Sequence, residues 1–364
     1  MAETAVPTGL TVQQWDDNYF REYLNQNWFK KFMGRGSNAM IQVREDLTKM
    51  PGDAITVTLV NKLTGTAKSE SDTLEGAEEA LDLRSHKITV REYSHAVRWA
   101  AFGDQQTAIP LRNAHKDTLM DWNMELDRDN ILEALASING VAYGSASESQ
   151  KDAWLVDNAD RVLFGAAKSN NSSNDHSASL ANIDGTNDIL KPGALSLMKR
   201  MAKTANPKIR PYRARAGVES SDGYVVFVPS LCMRDLINDS TFQQANREAR
   251  SRGVSNPLFS SADFLYDNLA IYEIEDIDVL SNVGASGTTD VAPVYLCGAQ
   301  ALAQVWAKRP TTVADEFDYK RKMGLAVKQW YKVEKLRFGS GASDTDDLKD
   351  HGVVTGYFAA VADS

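Results

Sequence analysis

The sequence is poor in the residues and patterns on which most chemistry depends. It has two cysteines, Cys232 and Cys297, 65 positions apart with no CxxC spacing. That excludes a disulfide framework or a zinc knuckle and leaves buried free thiols as the expectation. Five histidines, His86, His95, His115, His176 and His351, are scattered without a ligand-spaced pair on one stretch, so no metal site is expected. P-loop, GxGxxG, HExxH and GxSxG patterns are missing, which removes the main support for nucleotide, zincin and serine-hydrolase chemistry. Glu78 and Glu79 imitate a carboxylate pair, but adjacent side chains point apart on a helix or a strand. The expectation is a protein that is not an enzyme and takes no cofactor.

Basic charge is also short: 40 Lys and Arg against 49 Asp and Glu give a formal charge of -9. A protein whose main task is gripping nucleic acid needs a basic face, so that class is disfavoured. No stretch approaches the run of about 18 apolar residues that a membrane-spanning helix requires. The opening MAETAVPTGLTVQQW has no basic region followed by an apolar one, so we expect synthesis in the cytosol without a secretion signal.

What is present is a chain of 364 residues, 43% hydrophobic and 24% charged, ample for one large or two smaller cores. Thr11 to Phe32 carries Trp15, Tyr19 and Tyr23 at four-residue spacing beside Phe20, Leu24 and Trp28, which predicts an aromatic amphipathic helix. It either packs on its own core or lies as an arm on another subunit. Strands are predicted over 53–63 and 86–100 from their alternation. The roughly 20 polar residues between them are too many for a tight turn and predict a projecting loop. A long helix is expected from about 109 to 138, begun near Pro110 and stopped by Asn139 and Gly140, with Met124 continuing its apolar stripe. Residues 139–190, rich in Ser, Asn, Gly and Asp, read as loops contributing little to the core. Beyond them come a helix from Pro192, a buried strand at 224–230, a helix running from Ser230 to about Arg250, a strand at 268–280, a strand over 291–308 that runs into a helix or a second strand, strand-like alternation at the end of 313–338, and a short apolar strand at 350–361. Helices and strands without a βαβ repeat make the class α+β.

Charge is patterned. Between Glu70 and Asp82 lie six acidic residues, Glu70, Asp72, Glu75, Glu78, Glu79 and Asp82, and no basic one; between Lys191 and Arg215 lie eight basic residues and no acidic one. Each run alone reads as a solvated face. Together they point to complementary intersubunit surfaces, with Lys199, Arg200, Arg210 and Arg213, or Lys308 and Arg309 with Lys320 and Arg321, as receivers of the acidic loop. Contact with DNA is the rival reading of the basic segment.

The succession KKFMG, MPGDAITVTLVNKLTG, DTLEGAEEALDL, HKITVREYSHAVRW and EFDYKRKMGLAVKQWYKVEKLRF resembles the major capsid proteins of the podophage group typified by coliphage N-four, over about two thirds of the chain. The resemblance implies the Hong Kong 97-type fold: an arm at 1–50, an E-loop with flanking strands at 51–100, a P-domain with a spine helix at 101–189, an A-domain at 190–290, and a return to the P-domain sheet at 291–364. It also implies hexamers and pentamers in an icosahedral virion shell around double-stranded DNA that is not read for sequence, with scaffolding, portal and possible decoration proteins as partners. An encapsulin-type compartment holding cargo enzymes is the alternative on the same fold.

Overall fold

The computed structural model describes residues 28–48, 52–70, 73–107, 111–212, 223–244 and 264–362. Most of the aromatic helix expected over 11–32 lies outside them. Its described end, Trp28–Phe32, is a single 3-10 turn that buries Phe29 and Phe32. Their rings meet Phe227 at 5.0 and 5.7 Å, so this stretch packs on its own chain. Short strands β1 (Met33–Gly34) and β2 (Ile41–Arg44) follow.

The predicted strand pair is present but divided differently. Strand β3 (Ala54–Val60) pairs antiparallel with β4 (Leu83–Thr89), Ala54 opposite Thr89 and Val60 opposite Leu83. The chain then breaks at Val90, and the rest of the predicted second strand becomes a separate β5 (Arg91–Ala100). After a short α1 (Ala101–Gln106), helix α2 runs from Leu111 to Ala136. Asn139 and Gly140, with φ of 47° and 83°, stop it where the sequence predicts. Met124 departs from the expected stripe: it is 44% exposed.

Residues 139–190 contradict their loop reading. They form α3 (Glu148–Asp157), β6 (Val162–Phe164) and α4 (His176–Ala181), and bury Trp154, Leu155, Leu163, Phe164, Leu180 and Ile183. The polar residues that suggested disorder serve as backbone partners. Ser147 and Gln150 make a capping box on α3, and Asp175 caps α4 by accepting the Ala178 amide at 2.8 Å. The Asp188 carboxylate gathers the Ala166 amide, Asn170 Nδ2 and the Asp184 amide.

Helix α5 (Pro192–Thr204) and strand β7 (Tyr224–Pro229) appear as expected. Helix α6 ends early, at Ser230–Asn238, because Asp239 is extended and its Oδ1 accepts the Thr241 and Phe242 amides, starting a new helical turn. Strands β8 (Phe264–Tyr266), β9 (Leu269–Ile274), β10 (Val291–Cys297), β11 (Leu302–Phe317), β12 (Lys322–Lys335), β13 (Arg337–Gly339), β14 (Leu348–Asp350) and β15 (Val353–Ala359) complete the order.

The chain divides into two compact units. The larger, 29–90 with 129–307 and 331–364, is built on a six-stranded sheet in the order β6-β15-β10-β7-β9-β8. Against it Leu195, Met198 and Met201 of α5 and Cys232, Met233 and Leu236 of α6 form one buried cluster, and Trp154, Leu155 and Leu180 of α3 and α4 join a second. This sheet takes strands from both sides of position 290. In the same unit Ile88 of β4 is buried with Val305, Leu336 and Phe338. The smaller unit, whose described parts are 91–107, 111–128 and 308–330, packs Leu119 of α2 against Leu325 and Val327 of β12 beside Val97 and Trp99. Both classes of element are present throughout, giving an α+β fold.

Candidate assembly surface

The base of the β3–β4 hairpin is anchored in its own unit. Arg84 donates to the Gly341 carbonyl at 2.9 Å, the Ser85 hydroxyl to Asp344 Oδ2 at 2.6 Å, and His86 Nε2 lies 3.3 Å from Glu334. Beyond Val60 the chain leaves that support. Every described residue from Lys62 to Leu83 is exposed, including Leu63, Leu74, Leu81 and Leu83 at 54–71%. Scattered exposed leucines need no explanation. Four within about 20 residues, three on the loop and Leu83 at the start of β4, concentrate exposed apolar side chains in one short stretch.

The six predicted acidic residues divide by role. Glu79 accepts the Thr64 amide, the Thr64 hydroxyl and the Gly65 amide, which hold its carboxyl below the ordinary range. Asp82 accepts Asn61 Nδ2 at 2.6 Å and lies 3.0 Å from Arg84 Nε. Glu78 accepts the Gly76 amide at 2.7 Å. Glu70 and Glu75 are exposed, and Asp72 lies outside the described residues. Glu79 and Asp82, expected to face another subunit, are thus engaged inside their own loop, a use of carboxylates that charge counting does not reveal.

Of the basic residues, Lys199 is committed at home, its Nζ 2.6 Å from Asp267 Oδ1. Arg200 and Arg210 are exposed. Lys308 sits over the Trp330 ring at 5.1 Å, and Arg309 is exposed. Lys320 pairs with Glu316 at 3.3 Å in the hairpin turn. Trp15, Tyr19, the Trp28 side chain and Arg213 lie outside the described residues. The sequence did not point to an open cavity of about 280 Å³ in the smaller unit, lined by Lys116, Leu119, Met120, Met124, Pro310 and Leu325, beside which Met120 is 54% exposed.

Among the described residues, the titratable groups that could suggest chemistry are committed to structure. Both cysteines are buried and free, their thiols pushed up to about 12 by burial. Glu148, Asp152 and Asp175 bring carboxylate oxygens within 4.8 Å of one another. Two of them are occupied as backbone acceptors, Asp152 for the His176 amide and Asp175 for Ala178.

A profile of the family described as "Phage capsid protein" matches residues 3–362. The chain belongs to that family. This capsid protein is 29% identical over 373 residues to the major capsid protein of Pseudomonas phage KPP25, covering 96% of both chains. Its fold matches the capsid asymmetric unit of cyanophage Pam1 with a TM-score of 0.87, at 30% identity and full coverage of both chains. It also matches the capsid of Ralstonia phage GP4, with a TM-score of 0.77 at 20% identity, again over the full length of both chains. It is a major capsid protein of a tailed phage, a structural protein of the virion head whose copies assemble into a shell, and not an enzyme. The encapsulin alternative is not favoured, because these matches are phage capsids.

Proposed function

We propose that the shell is of the Hong Kong 97 type, within the coliphage N-four-like group, and that it forms from hexamers and pentamers held together by the loop at 61–82 reaching a neighbouring copy. The observation that carries this reading is the exposure of Leu63, Leu74 and Leu81 on the loop, and of Leu83 at the start of β4, all uncovered among the described residues. The domain names follow the resemblance: arm at 1–50, E-loop at 51–100, P-domain at 101–189, A-domain at 190–290, return to the P-domain at 291–364. By the same reading the shell encloses double-stranded DNA and works with scaffolding and portal proteins.

The receiving surface is the groove between Met120, Met124 and Pro310 on a neighbour. It fits because its lining is apolar while Lys116 and the adjoining Lys308 and Arg309 supply charge opposite to Glu70, Glu75 and Glu78. Arm aromatics such as Trp15 and Tyr19 and basic Arg200, Arg210 and Arg213 are further contacts under this proposal. Because copies repeat, modest pairwise energies suffice, and weak contacts let misplaced subunits leave. The test is negative-stain microscopy of the purified protein beside a Leu74→Asp, Leu81→Asp variant. Wild-type shells and dispersed but folded variant subunits are expected; normal shells from the variant would overturn the loop's role.

A further inference from the structure

The β3–β4 ladder ends at Val60 and Leu83, yet pairing between the two arms of the loop continues. The Asn61 amide donates to the Asp82 carbonyl at 3.0 Å, and Asn61 Nδ2 to Asp82 Oδ2 at 2.6 Å. Further out, Glu79 takes the place of a strand partner. Its Oε1 accepts the Thr64 amide at 2.8 Å and the Thr64 hydroxyl at 2.9 Å, and its Oε2 accepts the Gly65 amide at 2.6 Å. A Cβ at position 65 would lie 2.8 Å from Glu79 Oε2, so the carboxylate would have to shift to accommodate it. The tip has its own turn, with the Ala77 amide donating to the Leu74 carbonyl and Gly76 at φ 83°.

We propose that Glu79 is a positioning residue: it closes the neck of the loop in its own subunit and so presents the tip, with Leu74, Glu75 and Glu78, already ordered for docking on another copy. The inference rests on the loop-docking reading above and deepens it. A loop of some 20 residues free to wander pays its ordering cost when it docks. Charge-assisted hydrogen bonds to two backbone amides and a hydroxyl meet much of that cost before assembly. Glu79 therefore differs in kind from Glu75. Its negative charge faces inward to its own backbone, whereas that of Glu75 is presented outward.

The experiment uses the full chain, with amide hydrogen exchange on unassembled subunits and light scattering for the assembly threshold. Glu79→Ala should speed exchange at Thr64 and Gly65 roughly tenfold, the loss of about one charged hydrogen bond. It should leave the β3–β4 ladder and the thermal midpoint unchanged and raise the assembly threshold. Thr64→Val, which removes only the hydroxyl, should act in the same direction more weakly, and Glu79→Gln should recover part of both effects. Unchanged exchange at Thr64 and Gly65 in Glu79→Ala would overturn the clasp. Faster exchange with an unchanged threshold would overturn its positioning role. Glu75→Lys separates the two readings: if it assembles normally while Glu79→Ala does not, the acidic docking contact fails and the clasp stands.

Discussion

Lys335 Nζ lies 2.9 Å from Asp350 Oδ2, and the two side chains are only 3% and 4% exposed. The same lysine donates to the Ser137 carbonyl at 3.0 Å, and Trp154 Nε1 donates to the same Asp350 oxygen at 3.2 Å. A buried pair of this kind is costly to break, because the surviving charge is stranded in a poor solvent. Asp350→Ala should lower stability by about 3–5 kcal/mol in urea unfolding of the unassembled chain. Replacing both partners, Lys335→Met with Asp350→Leu, should return much of the loss. An unchanged midpoint for the single variant would show that water reaches the site.

Acid should weaken the subunit through two histidines. His176 is 1% exposed among Tyr143, Trp154, Phe164 and Tyr357, and burial, with Lys151 adding, brings its pKa down to about 4. Asp152 and Asp175 oppose this shift without cancelling it. Burial and then Arg161 bring His351 to about 4 as well. In the unfolded chain each histidine titrates near 6.5. Between that value and 4 the unfolded state therefore binds protons that the native state refuses, and stability falls as pH falls. The unfolding free energy should drop across pH 7 to 4.5, and His176→Phe with His351→Phe should flatten that slope.

The two thiols should be silent until the protein opens. Cys232 and Cys297 are fully buried with their pKa pushed up to about 12, so almost no thiolate exists at neutral pH. Iodoacetamide should label neither in the native subunit and both in urea. Fast labelling of the native chain would show local opening at α6 or β10.

The apolar groove predicts a salt-independent part of assembly. Met124→Gln sits on an exposed position of α2 and should change stability by less than about 0.5 kcal/mol. It should nevertheless raise the assembly threshold at both low and high salt, whereas the effect of Glu75→Lys should shrink as salt screens it. Equal salt dependence for the two variants would refute this division of labour.

Legibility of the sequence followed the source of each signal. Periodicity located α2, α5, β7, β10 and β15 because burial on one face, or on both, leaves a pattern in side-chain type alone. It failed at 139–190, where stability comes from Ser147, Asp175 and Asp188 bonding to backbone amides. Composition cannot tell such caps from a disordered polar tract. That the stretch between β3 and β4 is an exposed loop was readable from its length and polarity. The inward role of Glu79 was not, since it depends on two arms meeting 15 residues apart. Asp239 breaks a helix that pattern alone carried through without interruption, and helical structure resumes at Ser240, for the same reason: a short carboxylate satisfies nearby amides as readily as it continues a turn.

Strand β15 lies between β6 and β10 in the larger sheet, with every residue from Val353 to Ala359 buried. It is also the latest of the six in chain order. A ribosome that has completed β6 through β10 holds a sheet missing an interior member, and the gap closes only when residues 353–359 emerge. Chains interrupted before that point keep an open seam of unpaired strand edges, so the larger unit cannot complete its sheet until the last few residues of the chain are in place.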